Sequence, residues 1–393
     1  MGRLLYRSQY RDLVWGTALL CAFLALLCWP RESMQAVREG LSLCGNVILP
    51  SLFPFFVLSS LVVELGMSRY LGKLLEPVMR PLFRVNGCCA SALALGFVGG
   101  YPVGAQTDIN LYRGGSCSKT EAERMLAFCN NSGPAFILGV VGTGVFGSSM
   151  VGLLLYLTHV FSSLLVGLLF RFYKPEQPLT SSNTVCSFHT VSFPVAFTRS
   201  VTGAMTSTFH ICSFVLFFTV LLRCLALSGV TAMLSRLLAV VFSPLGLTSP
   251  WAQRLLVGLL EVSSGVSTLT SGGTLTGRIS MAAFMLGWAG LSVHCQVLSF
   301  LGDSGLSVRT YFAGKVLHGL ISSLLTRGML LHLSLQDSAA SCLMQQVETI
   351  AGLNFHRAIF IATLCALGTW LIFFSLTAHL SQKSSGKGRR HAL

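Results

Sequence analysis

Glu261, in the run GLLEVSSGVST, is a carboxylate set among apolar and small residues, with Ser263, Ser264 and Gly265 close behind it. A charge at bilayer depth costs roughly 2.5–3.5 kcal/mol on insertion scales, so such a carboxylate is expected to bind a coupling cation, accept a proton or hold a hydroxyl. Asn130 and Asn131, in AFCNNSGPAFILG, add amides that both donate and accept, followed by Ser132, Gly133 and Pro134. The proline lacks an N–H and frees a carbonyl one turn earlier. A third run, GFVGGYPVGAQ, interrupts an apolar stretch with Gly99, Gly100, Tyr101, Pro102 and Gly104. Backbone groups freed in this way are tolerated at membrane depth only where they line a cavity or are buried in protein. A half-helix N-terminus at such a break favours anionic groups by about 0.3–1 kcal/mol, up to about 2 when partly buried. The competing reading is that the small residues only let helices approach closely and that the asparagines only pack.

This chemistry is binding rather than bond-making. The chain shows no hydrolytic nucleophile motif, no Walker A sequence and no metal-ligand spacing, so it reads as a non-enzyme without a cofactor. GTGVFG (142–147) fits G-x-G-x-x-G but lies in an apolar span without a βαβ unit, which excludes dinucleotide binding. His210, His294 and His318 are candidate proton carriers, each also explicable as a packing residue, and Glu64 sits at a helix end with no assigned role.

The elements that must position these residues are membrane helices. Of 393 residues, 53% are hydrophobic and only 10% charged, against about 25% charged in soluble domains, and the mean hydropathy is +0.71. The expectation is an all-α polytopic membrane protein in the lipid bilayer. The thirteen cysteines are odd in number and include no CxxC, so they read as reduced thiols acting as small hydrophobes. Full crossings are expected at 13–29, 44–66, 124–147, 149–171, 205–227, 279–301, 311–333 and 356–380, the first an uncleaved helix. Segments 86–106 and 252–270 read as re-entrant hairpins, and 69–84 and 232–247 as amphipathic connectors.

With a cytoplasmic N-terminus, eighteen of the twenty-seven Lys and Arg residues fall inside, as the positive-inside rule requires. The +14 net charge is therefore sorted by topology, no nucleic-acid partner is implied, and both termini are expected in the cytoplasm. Residues 1–43 hold the first helix and a connector, 44–172 a first repeat, 173–198 a polar linker, 199–333 a second repeat, and 334–393 an outer loop, a last helix and a basic tail. Residues 49–83 parallel 211–246, with Pro81 against Pro244, and Gly133 matches Gly290 to within one position. Three full crossings per repeat is an odd number, so the second repeat enters the membrane inverted. Paired broken segments in inverted repeats point to a transporter with a midplane site.

LPSLFPFF, LLEPVMRPLFRV, GGYPVGA, EAERMLAFCNNSGPAF and GLLEVSSGVS, in this order, resemble the YlbJ-type sporulation integral membrane proteins, also called stage V sporulation protein V. That family contains nucleoside-recognition gate domains and is distantly similar to concentrative nucleoside transporters. The resemblance implies a multi-pass protein of the bacterial cell membrane, in the outer forespore membrane, that moves dipicolinate from mother cell to forespore during sporulation. On this reading, Gly99, Gly100, Tyr101, Pro102, Gly104, Asn130, Asn131, Ser132, Gly133, Ser263, Ser264 and Gly265 bind a small organic anion, with Glu261 as a coupling or structural carboxylate. Asn131 is expected to donate to the substrate directly. The alternatives are a Na⁺- or H⁺-coupled carrier of nucleosides or other organic solutes, and a non-transporting factor for spore-envelope assembly.

Overall fold

A proline after an aromatic residue ends the first helix: α1 (Gly2–Cys28) stops at Trp29, and α2 (Pro30–Leu43) starts with Pro30 in its first turn. The bend between them is 96°. The computed structural model describes residues 2–66, 68–174 and 192–332, and every regular element among them is helical. A π-helical turn at Cys44–Ile48 leads into α3 (Leu49–Glu64), followed by α4 (Ser68–Phe83), α5 (Ala90–Gly99), α6 (Val103–Arg113) and α7 (Lys119–Leu126). A second π-helical stretch, Ala135–Val145, precedes α8 (Ser149–Phe170). Then come α9 (Phe193–Leu227), α10 (Val230–Val241), α11 (Ser249–Leu260), α12 (Val262–Ser267), α13 (Leu275–Trp288), α14 (Gly290–Leu301) and α15 (Val308–His332). The expected crossing 356–380, the loop 334–353, the tail and most of the linker 173–198 lie outside the described residues.

Among the described residues, three spans are long and apolar enough to cross a bilayer: Ser149–Phe170, Phe193–Leu227 and Leu275–Leu301. Two bent pairs, Asp12–Cys28 with Pro30–Asn46 and Gly72–Phe83 with Gly87–Gly99, raise the number to five if each is one span. The structure therefore supports an all-helical membrane protein with three to five such spans in this region. Two expected crossings are broken. Segment 124–147 loses regular helix between Leu126 and Pro134, where the Asn-Asn-Ser-Gly-Pro run lies, and 279–301 is interrupted at Ala289, which is left-handed at φ 79°. Residues 30–43, read as connector, are helical: α2 packs along α9, and its Glu39 pairs with Arg223 at 2.7 Å.

The core that positions the site is made where α3 meets α9 and where α13 and α8 meet α15. Cys44, Ile48, Phe56, Ala204, Ile211, Cys212 and Val215 form one buried cluster at the first of these. The second is polar as well as apolar: Thr326 donates to the Thr158 hydroxyl at 2.8 Å, and both side chains are buried.

The EAER block has a structural task. Ser118 and Glu121 form a capping box that starts α7, satisfying amide donors that a helix start leaves unpaired. Arg124 spends its guanidinium on three carbonyls, those of Arg84 (2.6 Å), Tyr173 (2.8 Å) and Lys174 (2.9 Å). Glu123 accepts from the Tyr173 hydroxyl, the Lys174 ammonium and the Ser307 amide. Hydrogen bonding to Glu123 holds the Lys174 ammonium above its ordinary range. These contacts tie α7 to the end of α8 and to the approach to α15, and so fix the base of the broken segment that follows α7.

Candidate functional site

Two hairpins with different tips meet at the centre of the described region. In the first, α5 ends at Gly99, Gly100 takes φ 79°, a cis bond joins Tyr101 to Pro102, and α6 begins at Val103. A Cβ on Gly100 would lie 2.9 Å from the Gly133 amide nitrogen and 3.3 Å from its Cα, so only glycine satisfies both the left-handed backbone and the close approach. In the second, the chain between α11 and α12 breaks at Glu261, which is extended at φ −146° and ψ 122°. Its carboxylate accepts from the amides of Ser263 (2.9 Å) and Ser264 (2.5 Å), capping the short α12. Across from it stands Gly290, where a Cβ would lie 3.0 Å from the Val262 nitrogen and 3.3 Å from the Glu261 Cα. In each half, then, a hairpin tip abuts the break in the neighbouring broken helix.

Between these four breaks lies a small cavity, with about 50 Å³ open to the centres of water-sized molecules. Its walls take Gly99, Gly100 and Tyr101 from the first tip and Glu261, Val262 and Ser263 from the second. Ser132, Gly133 and Phe136 come from the break after α7, and Ser292, Val293 and Gln296 from α14. Ile48 and Leu52 face it from the α3 side, Ile211 and Val215 from α9. An apolar wall with a few convergent polar groups is the usual composition of a small-molecule site. The hydroxyls of Tyr101 and Ser132 are neighbours that do not reach hydrogen-bond geometry, and the Gln296 carbonyl oxygen is buried without a partner.

Of the residues singled out from sequence, Gly99, Gly100, Tyr101, Ser132, Gly133, Glu261 and Ser263 line this cavity; Pro102, Gly104, Asn130, Asn131, Ser264 and Gly265 do not. Asn131 is turned away. Its amide donates to the Phe128 carbonyl at 2.8 Å, a use within the protein beside the expected donation to a ligand. Gly104 packs on the Cys129 carbonyl, and Gly265 on the backbone of Gly258, the two arms of each hairpin closing through small residues. Ser264 lends its amide to Glu261. The N-terminus of α12 was expected to receive an anion from outside, yet an internal carboxylate already occupies it.

Behind the first break runs a buried polar chain. The Asn130 amide donates to the Tyr311 hydroxyl at 3.2 Å. The Tyr311 hydroxyl in turn lies within hydrogen-bond distance of His294 Nδ1, at 2.9 Å. The Ser132 amide donates to His159 Nε2 at 3.0 Å, placing the neutral His159 proton on Nδ1. His318 Nε2 donates to the His159 carbonyl at 3.0 Å, with ring centroids 4.3 Å apart. Lys315, without exposed surface, donates to the Asn130 carbonyl at 2.8 Å. His294 and His318 thus belong to this chain, whereas His210 packs against Phe214 and Phe300, and Glu64 pairs with Arg199 at 3.6 Å.

Sequence reasoning missed Ser292, Gln296, His159 and Lys315. The available signal was polar residues at helical spacing in apolar segments: Ser292 and Gln296 four apart in LSVHCQVLSF, and Lys315 and His318 three apart in KVLH. Such pairs share one helix face.

Comparison with known proteins bears on this arrangement. The family model described as nucleoside recognition, Gate, matches residues 47–204, a stretch that includes the first hairpin and the Asn-Asn-Ser-Gly-Pro break. The chain is 31% identical over 397 residues to the sporulation integral membrane protein YlbJ of Bacillus subtilis (strain 168), covering 94% of this chain and 97% of that relative.

Proposed function

The chain belongs to the YlbJ family of sporulation integral membrane proteins, and on that premise we propose that it is a transporter that carries a small organic solute through the cavity between its four breaks. The observation that carries this reading is the pairing of the cavity walls. Each wall from residues 44–172 has a counterpart from 199–333: tip against tip, broken helix against broken helix, and α3 against α9. Corresponding broken elements around one site are what an inverted-repeat carrier requires, because rocking one repeat against the other then exposes the same site to either side. The repeat boundaries and the eight-crossing topology read from the sequence belong to this proposal, as does the placement of both termini in the cytoplasm.

Dipicolinate is the cargo the family resemblance implies. Serine, tyrosine and glutamine side chains can replace part of a carboxylate's hydration, and among the described lining residues no lysine or arginine would hold it too tightly for release. Glu261 sets a condition. Two like charges about 4 Å apart at an effective dielectric near 20 repel by about 4 kcal/mol, so a dianion enters with a proton or Na⁺ that neutralises this carboxylate. The same carboxylate, together with the nucleoside-recognition match, favours a second reading in which the cargo is a neutral nucleoside-like solute and Glu261 binds only the coupling ion.

Uptake into proteoliposomes of labelled dipicolinate and of a nucleoside, with and without Na⁺ and a pH gradient, separates these readings. Dipicolinate uptake supports the first and nucleoside uptake the second. Uptake of neither, by protein shown to be folded, defeats transport and leaves the envelope-assembly alternative. Site and topology are tested in sporulating cells, with dipicolinate measured in spores of a deletion strain and reporter fusions placed at Lys387 and Ser338. Opposite sidedness of the two fusions is expected for an outer-forespore-membrane protein with both ends in the mother-cell cytoplasm.

A further inference from the structure

At the base of the first hairpin, away from the tip, three side chains from separate elements converge. Cys89 closes the 3-10 turn Gly87–Cys89, Asp108 sits midway along α6, and Cys117 lies just before the α7 N-cap. Their thiol sulfurs and a carboxylate oxygen all lie within 4.8 Å of one another, and all three residues are buried. Both oxygens of Asp108 are without a hydrogen-bond partner, and the residue has no exposed surface. Burying a carboxylate without compensation is among the most costly things a fold can do. The surrounding backbone nevertheless holds the three groups together: Glu121 accepts from the Asn86 amide (2.8 Å) with one oxygen and from the Ser118 amide (2.8 Å) with the other. That carboxylate bolts the segment carrying Cys89 to the segment carrying Cys117.

We propose that Cys89, Asp108 and Cys117 form a zinc site that clasps the base of the first hairpin. Two thiolates and one carboxylate supply three ligands of a tetrahedral ion, with Zn–S near 2.3 Å and Zn–O near 2.0–2.2 Å, and a water takes the fourth position. Thiolate donors select zinc over magnesium or calcium, which require oxygen cages. On binding, Zn²⁺ takes both thiols as thiolates and the carboxyl group as carboxylate, the displaced protons passing to solvent, so an oxygen that had no partner becomes a ligand. The second hairpin has no cysteine or histidine between residues 249 and 278. Its base is closed instead by Arg254, which donates to the carbonyls of Ser271 and Gly272, and by Arg278, which donates to those of Leu269 and Thr270. Each hairpin is thus fastened at its base, one by guanidinium groups and the other by a metal. The sequence conceals this because the ligands are nineteen and nine residues apart, a spacing that matches no metal motif.

The test is metal analysis of the full chain purified in detergent under reducing conditions. About one zinc ion per chain is expected, with loss in the Cys89→Ser/Cys117→Ser double variant and in Asp108→Asn, and retention in Gly139→Ala. Because the variants could fold poorly, the wild type is also stripped with a zinc chelator. Its melting temperature should fall and should recover with Zn²⁺ but not with Mg²⁺. Stripped wild type whose melting temperature does not respond to Zn²⁺, or zinc content unchanged in folded ligand variants, would overturn the site.

Discussion

The side-chain nitrogen of Lys315 donates to the backbone carbonyl of Asn130 at 2.8 Å, in a position with no exposed surface. The contact spans 185 residues of sequence and joins α15 to the break that forms one wall of the cavity. A buried amino group donating to a carbonyl of a broken helix supports that break, since a freed carbonyl in an apolar setting needs a donor.

Lys315→Met should therefore destabilise the break. It leaves the Asn130 carbonyl unpartnered at a cost of about 1–3 kcal/mol, and melting of the detergent-solubilised protein reads that loss. Uptake should fall together with it. A variant that melts like the wild type would remove the lysine from this role.

Gly100→Leu should abolish uptake while the protein still inserts and stays folded, because its side chain would enter the 2.9 Å gap to Gly133. Gly139 gives the comparison. A Cβ there meets nothing within 4 Å, and Gly139→Ala should transport normally. Normal uptake by Gly100→Leu would place the substrate path elsewhere.

Glu261→Gln keeps one acceptor oxygen and loses the second of the two bonds that start α12. The stability cost should be modest, about 1 kcal/mol, as for a lost helix cap. Uptake should persist but lose its dependence on Na⁺ or pH. Ion dependence that survives intact would reduce the carboxylate to a cap.

Gln296→Leu tests a residue that only the cavity identifies. Its carbonyl oxygen is buried without a partner, so the substitution should hardly change the melting temperature. If the cargo pairs with this group, the apparent KM should rise about ten-fold or more, the equivalent of one hydrogen bond of roughly 1.4 kcal/mol. Asn131→Ala should behave in the opposite way, lowering stability through the lost bond to Phe128 rather than raising KM.

The sequence by itself determined the class of protein and the places where its helices fail. Mean hydropathy and sparse charge identify a membrane protein, and Gly-Gly-Tyr-Pro, Glu-Val-Ser-Ser and Asn-Asn-Ser-Gly-Pro mark the breaks, because backbone conformation and capping are settled within a few neighbouring residues. That Glu261 turns back on Ser263 and Ser264 is local in the same sense. Only the tertiary structure decided what each break faces. Asn131 and Gln296 are both polar residues in apolar runs, yet packing turns the first onto its own chain and leaves the second at a cavity. The contact of Lys315 with Asn130 and the meeting of Cys89, Asp108 and Cys117 are likewise products of how distant helices pack. Local pattern sets where a chain bends, while the partner of a buried polar group is chosen by whichever surface the fold brings against it.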